Sequence, residues 1–178
     1  MIQIINNVLS QNSFDILYNI AKNAIRYHYN VNTSNENTSV ANDPLEFDVG
    51  QFTSPIIIDG VPDYVNSKYI ELISPIVSKI NSYVKIQNIN RLKFNLLLKQ
   101  NIGKNQYNTP HRDPGKYSFV YYLNDSDGDT FFFNEDMNVL NRVTPKKNSG
   151  ILFESNVLHA SANPAITDAR FVLNFVFN

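Results

Sequence analysis

The chain has 178 residues, 43 % of them hydrophobic and 17 % charged, enough to bury one core without metal or disulfide staples. Its 15 basic and 16 acidic residues leave a formal net charge of −1, so no cationic excess supports nucleic acid as a partner. The absence of cysteine excludes a disulfide framework and thiolate metal sites, which leaves histidine and carboxylate as the available ligands and fits an intracellular setting.

Met1 to Asn7 lacks a basic n-region, and no apolar run approaches the roughly 18 residues of a membrane span. A soluble, cytoplasmic protein without a membrane partner is therefore expected. Ile2 to Leu9 reads as a short strand. Ser10 or Asn12 can cap a helix in which Phe14, Leu17, Tyr18, Ala21 and Ile25 recur three and four apart. The polar, small residues from Val31 to Pro44 read as a mobile surface loop. Tyr64 to Tyr83 predicts a second helix, with an apolar stripe of Tyr69, Leu72, Ile73, Ile76, Val77 and Ile80 and a kink or break at Pro75. Both helices are expected to lie against one outer sheet.

After Asn88 the pattern becomes alternation. From Arg91 to Lys99, Leu92, Phe94, Leu96 and Leu98 share one face, and Arg91, Lys93, Asn95 and Lys99 fall mostly on the other, which marks a half-buried strand. Gly103 to Pro110 forms a loop leading into His111. Strands are predicted at Tyr117 to Leu123, Thr130 to Phe133, Val139 to Val143, Gly150 to Phe153 and Ala169 to Phe177, separated by Asn, Asp, Gly and Pro clusters. No internal repeat is present. Short strands flanked by turn chemistry favour an α+β fold built on a jelly roll, with the helices to one side.

The chemistry-bearing residues are His111-Arg112-Asp113, His159 and Arg170. Two imidazoles and one carboxylate are the ligand set that holds non-heme Fe(II) while leaving coordination positions open. If residues 111–113 are extended, His111 and Asp113 face the same way and Arg112 faces away. In the last strand Arg170, Val172, Asn174 and Val176 share one face, and Phe171, Leu173, Phe175 and Phe177 the other, which should pack into a hydrophobic layer. An arginine placed among valines suits a partly enclosed pocket that holds a carboxylate. Taken alone, the same pattern fits an exposed arginine on a half-buried strand. His-Arg-Asp also opens a kinase catalytic loop, but the Asn five residues after the Asp and the Gly-rich phosphate loop are missing. Asp125-x-Asp127-x-Asp129 hints at a calcium loop, but its glycine falls at the fourth position instead of the sixth, and a hairpin turn is expected.

The ordered series His111-x-Asp113, Val120-Tyr121-Tyr122-Leu123-Asn124, Gly128-Asp129-Thr130-Phe131, Pro145-x4-Gly150-x-Leu152-Phe153, His159 and Arg170 resembles the 2-oxoglutarate and Fe(II)-dependent oxygenases. Within them it looks most like the prolyl-4-hydroxylase-type branch, including short versions encoded by bacteriophages. The resemblance spans roughly residues 90–178 and implies a double-stranded β-helix, the cupin-like jelly roll. It implies one domain over 1–178, with 1–88 a helix-rich support and 89–178 the catalytic core. His111, Asp113 and His159 would be the iron ligands and catalytic centre. Arg170 would bind the distal carboxylate of 2-oxoglutarate, and Tyr122 would hydrogen-bond it. Asn174 occupies a place where relatives often keep a hydroxyl that touches the co-substrate. Where some prolyl hydroxylases carry a further co-substrate tyrosine, this chain has Lys99-Gln100-Asn101, and Tyr107 is the candidate substitute.

The implied cofactors are Fe(II), 2-oxoglutarate as co-substrate and O2, with ascorbate in support. The implied activity is hydroxylation of an unactivated C–H bond with release of succinate and CO2. A proline in a peptide or protein is the favoured substrate, a small molecule is the other option, and the location is the cytoplasm, of the host if phage-encoded. The alternative is a jelly-roll interaction module that binds metal without turnover.

Overall fold

A computed structural model describes residues 2–33, 49–100 and 106–178. The expected loops at 31–44 and 103–110 therefore lie partly outside the described residues. The chain begins with β1 (Ile2–Asn6) and α1 (Gln11–Asn23). The Ser10 hydroxyl caps α1 by accepting from the Ser13 N–H at 3.3 Å, and Phe14, Leu17 and Ala21 form its buried stripe. The helix ends before Ile25, which still packs against the same core. Then come β2 (His28–Asn30), β3 (Gln51–Ile58), β4 (Val61–Pro62), a 3₁₀ turn (Ser67–Tyr69) and α2 (Ile70–Asn81). Asp63 accepts from the backbone N–H groups of Val65 and Asn66, making a turn where the second helix was expected to start. Pro75 does not break α2. It lacks the N–H that would bond to the Glu71 carbonyl, and the Ser74 hydroxyl donates to that carbonyl instead, at 2.8 Å.

The remaining strands are β5 (Ile89–Leu98), β6 (Tyr117–Tyr122), β7 (Thr130–Phe133), β8 (Val139–Val143), β9 (Ser149–Glu154), β10 (His159–Ser161) and β11 (Ala169–Phe177). They form two antiparallel sheets, the jelly-roll arrangement expected. The large sheet runs β1-β9-β6-β11-β5-β3-β2, with β4 on β3, and the small one runs β10-β7-β8. Residues 1–88 thus supply strands as well as helices: β1 pairs with β9, and β3 pairs with β5. The strand at 51–58 was not among those expected, and its Pro55 cannot donate to a ladder. The structure places the register shift of β3 between Pro55 and Ile57, where a bulge absorbs the missing N–H.

Both helices cover one face of the large sheet, as expected. Leu17, Ile73 and Ile76 meet Phe94, Phe119, Leu173 and Phe175 there, all of them fully buried. Burying each such side chain contributes roughly 2 kcal/mol, so this aromatic layer fixes which way β5, β6 and β11 face. The opposite face of these strands is turned toward the small sheet and lines a cavity. On β5 the expected alternation fails at one end, where Leu97 is buried on the cavity side and Leu98 is exposed. Among the described residues no helix is long and apolar enough to cross a membrane.

Candidate metal centre and co-substrate pocket

His111 and His159 are backbone partners. Each donates its N–H to the other's carbonyl, at 2.9 and 3.0 Å, which sets the two imidazoles side by side with ring centroids 4.5 Å apart. Asp113, two residues on, faces the same way, and its N–H is held by the Ser155 carbonyl at 2.9 Å. Arg112 turns outward to a bidentate pair with Glu135 at 2.9 and 2.7 Å, as the extended spacing requires. One donor atom from each of His111, Asp113 and His159 lies within 4.8 Å of the others.

The chemistry of this donor set fits a divalent ion. His111 Nδ1 faces the Thr109 carbonyl at 3.1 Å and His159 Nδ1 faces the Val157 carbonyl at 2.9 Å. A carbonyl only accepts, so each Nδ1 carries a proton, which leaves Nε2 as the ring atom available to a metal; that of His159 lies 3.5 Å from Asp113 Oδ2. Burial, reinforced by the neighbouring His159, pushes the His111 imidazole down to about 4, so it is neutral near pH 7. Burial alone would raise the Asp113 carboxyl, but the Arg91 guanidinium on Oδ1 and the adjoining imidazoles hold it well below the usual carboxylate range. The Ser118 hydroxyl donates to Oδ2 at 2.7 Å, and the Ser155 hydroxyl lies 2.8 Å from that of Ser118.

A cavity of about 280 Å³ runs from the two histidines across the inner face of the large sheet to Arg170. Arg170 is 4 % exposed, and among the described residues no carboxylate pairs with it. Its Nη2 donates to the Thr130 hydroxyl at 2.9 Å, its guanidinium stands 5.7 Å from the centre of the Tyr122 ring, and its buried Nε has no partner. The Tyr122 hydroxyl shares Thr130 at 2.8 Å, and burial pushes it up to about 12, so it stays protonated. A buried cation with an orphaned donor is costly by itself and matches an incoming carboxylate. The exposed-arginine option is thereby removed. Gly128 makes room for Arg170: a Cβ there would lie 2.5 Å from the Ala162 carbonyl oxygen and 3.1 Å from Arg170 Cδ.

Asn174 lines the same cavity, but its Oδ1 accepts from Arg91 at 3.5 Å and does not approach Arg170's donors. Tyr107 does not line the cavity; its ring packs on Phe131 and Phe133 at 5.4 and 4.6 Å. The Asp125 to Asp129 segment is no hairpin, because it crosses from β6 in the large sheet to β7 in the small one. Within it Asp127 accepts from the N–H groups of Ala165, Ile166 and Thr167 and from the Thr167 hydroxyl. Sequence reasoning missed Arg91, Lys93, Ser118 and Thr130. Arg91 and Lys93 were visible only as the polar face of a strand, and that face looks into the cavity instead of solvent.

Residues 97–178 match the family model described as the 2OG-Fe(II) oxygenase superfamily. These residues belong to that superfamily. The oxygenase takes Fe(II), 2-oxoglutarate and O2, and it is a 2-oxoglutarate-dependent dioxygenase. No curated protein matches the chain in sequence. Among solved structures, an oxidoreductase of the 2OG-Fe(II) oxygenase family from Burkholderia pseudomallei aligns with TM-score 0.74 at 13 % identity, covering 99 % of this chain and 84 % of that one. A prolyl-4-hydroxylase from Pseudomonas putida aligns with TM-score 0.60 at 16 % identity, covering 99 % and 91 %. The viral collagen prolyl hydroxylase of Paramecium Bursaria Chlorella virus-1, solved with 2OG, aligns with TM-score 0.60 at 17 % identity, covering 98 % and 93 %. At these identities the likeness is one of fold.

Proposed function

We propose that the oxygenase hydroxylates an unactivated C–H bond, with a proline in a peptide or protein as the leading substrate class. His111, Asp113 and His159 hold the iron, which with 2-oxoglutarate and O2 supplies a two-electron oxidation of the C–H bond coupled to decarboxylation of the co-substrate to succinate and CO2. Arg170 binds the far carboxylate, Tyr122 orients it from the side, and Asn174 borders the metal end of the same cavity. The apolar walls from Val120 and Val172 limit water beside the reacting carbon. The observation that carries this reading is Arg170 itself: a buried guanidinium with an unpaired Nε, in the cavity that also reaches His111 and His159. Proline enters from the likeness in fold to prolyl hydroxylases of bacterial and viral origin.

The test is succinate release by protein supplied with Fe(II), ascorbate, 2-oxoglutarate and a proline-rich peptide. Succinate with an equal amount of hydroxyproline is expected, and a His159→Ala variant should give neither. Succinate without hydroxyproline would retain the dioxygenase and discard the proline. Metal binding with no succinate under any of these conditions would make the protein a binding module.

A further inference from the structure

The cavity carries more positive charge than the iron site and co-substrate use. Successive inward positions on β5 are Arg91, Lys93, Asn95 and Leu97. Arg91 is matched by the Asp113 carboxylate. Arg170, which pairs with Leu97 across β11 and β5, is matched by the far carboxylate of 2-oxoglutarate when that is bound. Lys93 has no partner of its own: among the described residues it makes no hydrogen bond and no ion pair, no Asp or Glu of those residues lines the cavity, and Asp113, the carboxylate whose charge reaches it, is already held by Arg91. Its strand neighbours do not serve it either. Pro55 lies opposite on β3, and Asn174, opposite on β11, turns its Oδ1 to Arg91.

A lysine on a sheet surface ordinarily extends its stem over apolar neighbours and leaves its ammonium in water. Lys93 is half-buried and lines a cavity that already holds two guanidinium groups, so like charges crowd it and an anion in the cavity would relieve them. The position also separates it from the co-substrate's anchor. Lys93 lies four residues along β5 from Leu97, roughly 13 Å of strand, and two residues from Arg91, so it belongs to the metal end. Asn95, between the two, has a buried Oδ1 with no donor, a second polar atom on this wall left for a ligand. We propose that Lys93 anchors an anionic group, a carboxylate or a phosphate, on the primary substrate, so that the oxygenase selects an acidic molecule or an acidic segment over a neutral one. This role rests on the hydroxylase function proposed above, since it presupposes a substrate brought to the iron.

The experiment uses the full chain loaded with Mn(II) and saturating 2-oxoglutarate, which binds without turning over. Failure of 2-oxoglutarate to bind, read by calorimetry, counts against the proposed function and is scored separately. The probes are N-acetyl-L-proline, its neutral amide, and inorganic phosphate, each followed by the broadening of its own NMR signals by the bound Mn(II), which reports proximity to the metal. Either anion should bind at least about tenfold more tightly than the amide. Lys93→Met and Lys93→Gln should erase the preference, and Lys93→Arg should keep it. Which anion binds distinguishes a carboxylate substrate from a phosphate one. The proposal is overturned if neither anion binds, if acid and amide bind alike, if the preference survives in Lys93→Met, or if Lys93→Met weakens 2-oxoglutarate binding about tenfold, which would place Lys93 in the co-substrate's own subsite.

Discussion

Replacing Arg170 by Met separates what this residue costs the fold from what it does for the site. Arg170 is 4 % exposed, and its compensation in the free protein is one hydrogen bond to Thr130, the face of Tyr122 and the charge of nearby Asp129. A buried charge carries an effective penalty of several kcal/mol, of which that hydrogen bond and the ring return about 2–3 kcal/mol. Met fills most of the same volume without charge, so Arg170→Met should leave the ligand-free protein unchanged or more stable by about 1–2 kcal/mol, a rise of roughly 2–8 °C in Tm for a chain of this size. Affinity for 2-oxoglutarate should move the other way. Loss of a charge-assisted, bidentate carboxylate contact is worth about 3 kcal/mol, or more than a hundredfold in Kd. The assay is thermal unfolding with and without Mn(II) and 2-oxoglutarate, paired with calorimetric titration. The reasoning is refuted if Arg170→Met destabilises the ligand-free protein by several kcal/mol while its 2-oxoglutarate affinity stays within about threefold of the parent.

Ser118→Ala leaves Asp113 Oδ2 without its hydroxyl donor and should weaken Mn(II) binding by about 10-fold, measured by calorimetry, with the fold intact by circular dichroism. Gly128→Ala forces a methyl against the Ala162 carbonyl and Arg170 Cδ, and should raise the 2-oxoglutarate Kd at least about tenfold with a smaller effect on Mn(II) affinity. Asp127 supplies a pH dependence: burial would raise its carboxyl, but the donors from Ala165 to Thr167 bring it down to about 2 from 3.8. A carboxyl lowered in the folded state contributes stability that is complete above about pH 5 and is lost as the pH falls through 4 toward 2. After allowance for solvent screening the contribution is about 1–2 kcal/mol, so urea midpoints of the parent and Asp127→Asn should differ at pH 7 and converge near pH 2.

Alternation made the second half of the fold legible. The strands at 130–133, 139–143 and 169–177 coincide with their expected bounds: β7 and β11 are held in register by burial, whereas β8 is exposed except at Val143 and is marked by the turn residues on either side of it. β3 was hidden because Pro55 and the run Ile56 to Ile58 break that alternation, and the three-residue β2 is exposed throughout and has no apolar signature. The histidines and Asp113 could be read from spacing, since two residues on one strand end and a third on its backbone partner need little more than pleat geometry. Arg170 could not be settled that way: a lone arginine opposite an aromatic face looks the same whether water or a second sheet lies beyond it. Arg91 and Lys93 failed for the same reason, because a polar strand face implies solvent unless another layer is known to enclose it.

Among the described strands, the one that comes last in sequence order lies near the middle of the large sheet. β11 lies between β6 and β5, while both flanks, β1 and β2, come from the opening residues of the chain. During synthesis β1 must wait for β9, and β5 and β6 stay unjoined until residues 169–177 arrive with Arg170 among them. Such distant pairings make folding slow and late. The proposed anchor of the diacid and the keystone of the sheet therefore lie on one strand, and a truncation before Ala169 leaves a chain that cannot close its sheet and lacks Arg170.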